Sequence, residues 1–430
     1  MTRRIGRFVR RGALLSGLCT VTMPALAQNA APPRPASRTL ADVAASEAVA
    51  NRARPDYDPV GIAAGGFRLF PTLQIQSGYD SNIYNIDNGR VSDGLVRIAP
   101  RLDARSNWSR HSLTLSTGGQ FERYFSRSTE NNEQYDVEAV GRIDASNDSA
   151  INASGLYARR VEQRGTLGDI LASGDRIRYD LGTARLSATS TFGRLLFTGG
   201  GTYSTFNYLP VRLNGASVSQ DYRDRDEATG LLRADYVVGP GIRAFVSGNF
   251  NDQNYKQTLS GVDQDSQGFA ALGGMVFGVN EFISGEIGIG YLKQYYRDPG
   301  LPDIGGFSYN ARAIWNPTPL LTVTAIAART VQQSPFINQS GILQDSLGVN
   351  VDYELLRNLI VSVNGQFISN DYQDLDRSDR LWFAEGRARY LVNRWAEVGL
   401  SVNHRFQTTS NALGREYAGS SILLGITLKR

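Results

Sequence analysis

Beyond Phe67 the chain alternates. Phe67, Leu69, Leu73, Ile75 and Tyr79 share one face of an extended segment, and Arg68, Thr72, Gln74, Gln76 and Asp80 share the other. A period of two is what a pleated strand with one apolar and one polar face requires. Val96, Ile98, Leu102, Ala104 and Trp108 repeat the pattern against Arg97, Arg101, Asp103, Arg105 and Asn107. Reading on to Leu424 gives about 18 such segments.

The connections sort by length. Ser146 to Ser149, Phe192 to Arg194, Val238 to Gly241 and Val392 to Arg394 are short and rich in turn formers, whereas Asp80 to Asp93, Glu162 to Arg176, Asn207 to Asp226 and Asn370 to Asp379 are long and polar. Strict short and long alternation predicts an all-β fold, a transmembrane antiparallel up-and-down β-barrel of about 18 strands (16–18) in an outer membrane. A soluble sandwich would also alternate, but its loops have no reason to sort by length. Trp108, Trp315 and Trp395 stand beside short turns, while Trp382, with Tyr79, Phe121 and Tyr291, stands toward the long loops. These are the two aromatic girdles expected where a lipid-facing band meets its interfaces. An even strand number puts both ends of the barrel on the periplasmic side.

Upstream the pattern changes. Five arginines, an apolar stretch from Gly12 to Val21, and Ala25-Leu26-Ala27 before Gln28 predict a cleaved signal peptide over 1–27. Residues 28–65, with Pro32, Pro33, Pro35, Pro55 and Pro59, read as a flexible periplasmic linker with a short helix over Thr39 to Asn51. The barrel is expected over 66–430. Cys19 is the one cysteine and lies in the leader, so the exported chain has no thiol chemistry.

Charge narrows the partners. Without the leader, 40 basic residues face 41 acidic ones, too even a balance for nucleic acid as the main partner. Only Lys256, Lys293 and Lys429 are lysines among 45 basic residues, an excess of arginine that favours forked, directional contacts.

The segments Gly66-Phe67-Arg68-Leu69-Phe70-Pro71, Tyr79-Asp80-Ser81-Asn82-Ile83-Tyr84, Asn107-Trp108-Ser109-Arg110-His111, Tyr135-Asp136 and Phe192-Gly193-Arg194 give the sequence a relative. With them it resembles the β-barrel porin family of proteobacterial outer membranes and is similar to the outer-membrane barrels associated with exopolysaccharide loci of the gellan or sphingan type. The resemblance spans the whole expected barrel and implies passage or secretion of a polymer, with an anionic polysaccharide and periplasmic export components as partners.

Chemistry is sparse. His111 and His404, the only histidines, fall at opposite ends of strands, and a catalytic or metal site would have to be built from almost nothing. Asp221, Asp224, Asp226 and Glu227 are interleaved with Arg223 and Arg225 and lack calcium-loop spacing. Gly199-Gly200-Gly201 lacks the strand-loop-helix setting of a phosphate cradle. No enzyme, metal or cofactor is expected.

The informative set lies on the polar face: Arg97, Arg101, Arg105, Arg142, Arg185, Arg233, Arg243, Arg312, Arg387, Arg389 and Arg405, with Asp103, Glu138, Asp144, Asp235, Glu286, Asp352, Glu385 and Glu397. Either the guanidinium groups hold the carboxylates of an acidic sugar in transit, or they pair with these acids and line a wet lumen. The functional expectation is a conduit for exopolysaccharide export, with a general or substrate-selective diffusion porin for small solutes as the alternative. A long loop folded into the lumen would separate the two.

Overall fold

The computed structural model describes residues 48–170, 174–213, 215–258, 261–279, 282–411 and 414–430. The expected signal peptide, residues 28–47 of the expected linker and most of the expected short helix lie outside the described residues.

Eighteen long strands follow one another. They are β1 (Phe67–Asp80), β2 (Asp93–Ser106), β3 (Ser112–Tyr124), β4 (Asn132–Asp144), β5 (Ser149–Val161) and β6 (Arg178–Phe192). β7 (Leu195–Tyr208), β8 (Arg225–Gly239), β9 (Ile242–Tyr255), β10 (Ser266–Val279), β11 (Ile283–Tyr296) and β12 (Ile304–Thr318) come next. β13 (Leu321–Gln332), β14 (Ile342–Leu356), β15 (Leu359–Tyr372), β16 (Arg377–Leu391), β17 (Ala396–Thr409) and β18 (Tyr417–Lys429) complete the set. Each pairs antiparallel with the next, and the ring closes where β1 pairs with β18, from Thr72 opposite Lys429 to Asp80 opposite Ser421. Among the described residues each of the eighteen strands thus has a paired neighbour on both sides, the condition for a sheet to cross lipid.

The alternation sorts the side chains. Ile75, Ile98, Leu115, Val246, Ile287, Val363 and Leu424 project outward and are exposed, a band that only lipid can cover. Among the described residues there is no central apolar core. Buried apolar residues instead form small clusters inside the wall, such as Ile177, Phe206, Tyr208 and Val211.

The expected long loop from Asn370 to Asp379 is a correction. β15 and β16 continue through it, with Asn370 opposite Asp379 and Asp371 opposite Ser378, so only residues 373–376 turn. Beyond the apolar band both faces of a strand are polar, and a paired strand end there reads as a loop.

The described end of the expected linker is packed rather than free. Ile62–Ala64 folds back antiparallel on Phe67, Arg68 and Leu69, and Gly61 and Gly65 take the positive φ angles of 74° and 58° that this fold-back needs. Upstream, Val49 is fully buried against Ile360 and Leu391. Its N–H donates to Thr322 Oγ1 at 2.9 Å, and Arg54 Nη2 lies 2.8 Å from Glu354 Oε2. Thr322, Glu354, Ile360 and Leu391 face inward near the short turns, by their register with Asp352, Ile360, Glu354 and Glu397 respectively. The segment therefore occupies part of the lumen's short-turn mouth.

Candidate functional site: a narrowed lumen

The inward arginines meet the carboxylates that their own strands supply. In an extended chain residues two apart share a face, so an Arg-x-Asp or Glu-x-Arg spacing places both groups side by side on the lumen wall. Arg233 Nε is 2.8 Å from Asp235 Oδ2, Arg142 Nε is 2.8 Å from Asp144 Oδ1, and Arg387 Nη2 is 3.0 Å from Glu385 Oε1. Arg101 and Arg105 flank one carboxylate, Asp103, at 3.0 and 3.1 Å. Other pairs cross strands: Arg97 Nε donates to Glu122 at 2.6 Å, Arg233 Nη1 reaches Glu286 on β11 at 2.8 Å, and Arg405 Nη2 reaches Asp80 on β1 at 2.8 Å.

Arg233 lies flat because the wall beneath it is shaved. Its guanidinium stands 3.9 Å over the Phe245 ring. That ring rests on Gly274 and Gly288, where a Cβ would come within 2.6 and 3.0 Å of it. Glycine is needed there for close approach rather than for flexibility.

The pairing is uneven around the ring. Arg243 and Arg312 form no ion pair among the described residues, and Arg185 donates only to Thr202 Oγ1, at 3.2 Å. Arg389 is 3.8 Å from Glu397, beyond hydrogen-bond reach. Of the acids, Asp352 accepts from Ser362 and Asn350 rather than from a cation. Trp108, Trp315, Trp382 and Trp395 lie on the opposite, outward face, about half exposed in the isolated chain.

One departure from an open cylinder is the connection between β5 and β6, described over residues 162–170 and 174–177. These residues fold inward and are fastened by buried charge. Glu130, 1% exposed, accepts from Arg164 Nη2 at 2.6 Å, Arg164 Nε at 3.0 Å and Arg176 Nε at 3.0 Å. Asp169 is held between Arg164 at 3.1 Å and Arg415 at 2.5 Å. The Tyr417 hydroxyl of β18 donates to the Gly165 carbonyl at 3.3 Å, and Asn85 Nδ2 donates to the Arg164 carbonyl at 2.6 Å. The loop thus leaves β5 and is tied to β18 and to the loop after β1, across a chord of the lumen. Burial opposes the charge on Arg164, but the hydrogen bonds it donates to Glu130 and the charges of Asp169 and Glu130 more than offset it and raise its pKa.

Beneath this loop the wall from β16 through β1 to β5 bounds a cavity of about 510 Å³. Arg97, Arg101, Arg387 and Arg389 line it, as expected residues of the polar face; Asp103, Arg105, Arg142, Arg233, Arg243 and Arg312 are not among its lining. Sequence reasoning missed Glu130, Arg164 and Arg176, which sit in segments without periodicity. The available signal was Leu167, Ile170, Leu171 and Ile177, apolar residues that a fully solvated loop does not need.

A family model described as "Putative beta-barrel porin 2" matches residues 54–430. No curated protein matches the chain. Among solved structures, OpdO of Pseudomonas aeruginosa is similar at 14% identity and a TM-score of 0.44, over 84% of this chain and 97% of that one. OccK1 (OpdK) of the same organism is similar at 11% identity and a TM-score of 0.45, over 84% and 99% of the two chains. The siderophore receptor PiuA of Acinetobacter baumannii is similar at 12% identity and a TM-score of 0.43, over 86% and 82%.

Proposed function

Given that the chain belongs to the porin family described as "Putative beta-barrel porin 2", and so is an outer-membrane β-barrel of porin type, we propose that it is a substrate-selective diffusion porin for small solutes. The observation that carries this reading is the inward course of residues 162–170 and 174–177, fixed to Glu130 by two arginines, Arg164 and Arg176, that are themselves buried. A barrel of this strand number is wide enough for an aqueous channel, and what passes is then decided by what narrows it.

The first expectation, a conduit for an anionic polysaccharide working with periplasmic export components, needs an unobstructed bore. Two obstructions speak for the alternative. The loop narrows the long-loop side, which the turn-length rule places outside the cell, and the Val49 to Arg54 segment occupies part of the periplasmic mouth. The arginines Arg97, Arg101 and Arg105, candidates for gripping a polymer, are engaged with Glu122 and Asp103.

The test is a liposome-swelling series with sugars of increasing size. A sharp cut-off at mono- or disaccharide size supports the reading. Free passage of long oligosaccharides, or loss of secreted polysaccharide in a strain lacking the gene, would return the exporter to first place.

A further inference from the structure

The wall is most weakly paired between β12 and β13. Among the described residues these two share seven paired positions, the fewest of any neighbouring strands in the ring. Their pairing stops at Asn310 opposite Ala328. Yet β12 stays paired with β11 up to Ile304 opposite Gln294, and β13 with β14 up to Gln332 opposite Ile342. Ile304–Tyr309 and Arg329–Gln332 therefore adjoin without a ladder, at the long-loop end of the wall. Backbone groups at a membrane-spanning edge must be satisfied by other means.

Side chains take over part of that task. Ser308 Oγ donates to the Arg329 carbonyl at 3.4 Å. On the outer surface the Tyr309 hydroxyl of β12 reaches past β13 to Asp345 of β14 at 2.8 Å, and Arg329 Nε meets the same carboxylate at 2.6 Å. Above the split, the Gly341 N–H donates to the Tyr296 hydroxyl at 2.7 Å, which ties the end of β11 to the approach to β14. The split is thus a window, bounded below by a ladder and above by a hydrogen bond, and held shut by side chains.

Its lumen side carries no charge. By register Gly290, Leu292, Gly306, Ser308, Ile326 and Ala328 face inward around it, and Ile326 is 44% exposed although it looks into the lumen opposite Arg312. No heavy atom lies within 4 Å of where a Cβ on Gly306 would stand. On the lipid side Ile289, Phe307 and Leu347 are about half exposed. A charged solute would lose its hydration on such a route, whereas an apolar one exchanges water for apolar surface at every step.

We propose that the β12–β13 edge is a lateral gate, shut in this structure, through which a small apolar molecule leaves the lumen for the outer leaflet. The route branches from the axial one and goes beyond the porin reading, since it does not depend on which solute follows the bore.

Ser308 and Ser346 make a matched pair for the test. Both face inward, both are 4% exposed, and they donate to carbonyls of β13 at 3.4 and 3.3 Å. Only Ser308 borders the split; Ser346 is paired on both sides. In proteoliposomes a maleimide carried on a phospholipid should label S308C and spare S346C, and Y309F should speed the labelling of S308C alone. In intact cells the apolar fluorescent dye phenylnaphthylamine should enter faster through wild type than through G306D, which sets a charge in open space on the route, and faster still through Y309F. Uptake of a small sugar should be equal in all three. Equal labelling of S308C and S346C, or labelling of neither, would overturn the gate. Dye entry indifferent to both substitutions would overturn the passage of apolar molecules. Dye entry that responds to them through a barrel admitting no sugar would overturn the porin reading and keep the gate.

Discussion

Replacing Glu130 by Gln tests the claim that the lumen is narrowed by a separately docked loop. The carboxylate is 1% exposed and is shared by Arg164 and Arg176. Its neutral replacement leaves two guanidinium groups buried with less than their former compensation. Removing one member of a buried ion pair costs ~3–5 kcal/mol. Asp169, 3.1 Å from Arg164, and Glu122, 3.9 Å from Arg176, remain, so the lower end applies. A loss of about 3 kcal/mol lowers the ratio of docked to undocked loop by a factor of roughly 150. The strand ladders do not pass through Glu130, and the barrel should keep its heat-modifiable mobility on gels. Single-channel conductance should rise, and trypsin should cut at Arg164 or Arg176, which burial otherwise protects. Unchanged conductance and unchanged protease resistance in a correctly folded E130Q barrel would refute the docked-loop account.

Other predictions follow from the wall and its ends. Val363→Arg, on the lipid face, should cost ~2–4 kcal/mol in reversible unfolding, while Asn364→Arg, on the lumen face, should cost clearly less; equal costs would deny a lipid and lumen alternation. Gly274→Ala should lower the urea midpoint by the equivalent of ~1–3 kcal/mol, since its Cβ would lie 2.1 Å from the Ile287 carbonyl oxygen, whereas Gly399→Ala should leave the midpoint unchanged. Impermeant thiol reagent on intact cells should label Ser128→Cys and spare Asn147→Cys, because the former lies in a long-loop connection and the latter in a short turn. Val49→Cys should resist labelling in purified barrel until Arg54→Ala removes the bond to Glu354, and ready labelling in the single variant would show that the segment is not seated.

How much of this was legible depends on whether a residue's neighbour lies along the strand or across it. Strand faces were legible, since Ile75 and Gln76 differ in polarity for a reason that recurs every second residue. Strand ends were not: Asn370 and Asp379 are paired above the lipid, where no apolar side marks a strand. The inward direction of Arg97, Arg101 and Arg233 could be read from alternation, but the reach of Arg233 to Glu286, three strands away, could not. The described part of the connection after β5 was not legible because the partners of Arg164 and Gly165, namely Glu130, Asn85 and Tyr417, come from three distant parts of the chain. Proline and alanine made residues 48–59 read as linker, yet Val49 and Arg54, with Arg52 and Tyr57 beside them, seat the segment against Thr322, Glu354, Ile360 and Leu391.

The closure of the ring has a mechanical side. β1 meets β2 along fourteen paired positions but meets β18 along only nine, from residue 72 to residue 80. Of the two joints that β1 makes this is the shorter, so stretching or thinning of the surrounding bilayer loads it before the edge that β1 shares with β2. Arg405 of β17 reaches over β18 to grip Asp80 of β1 with two contacts, at 3.0 and 2.8 Å. It acts as a clasp laid across the joint, carrying load from one side to the other without relying on the strand between.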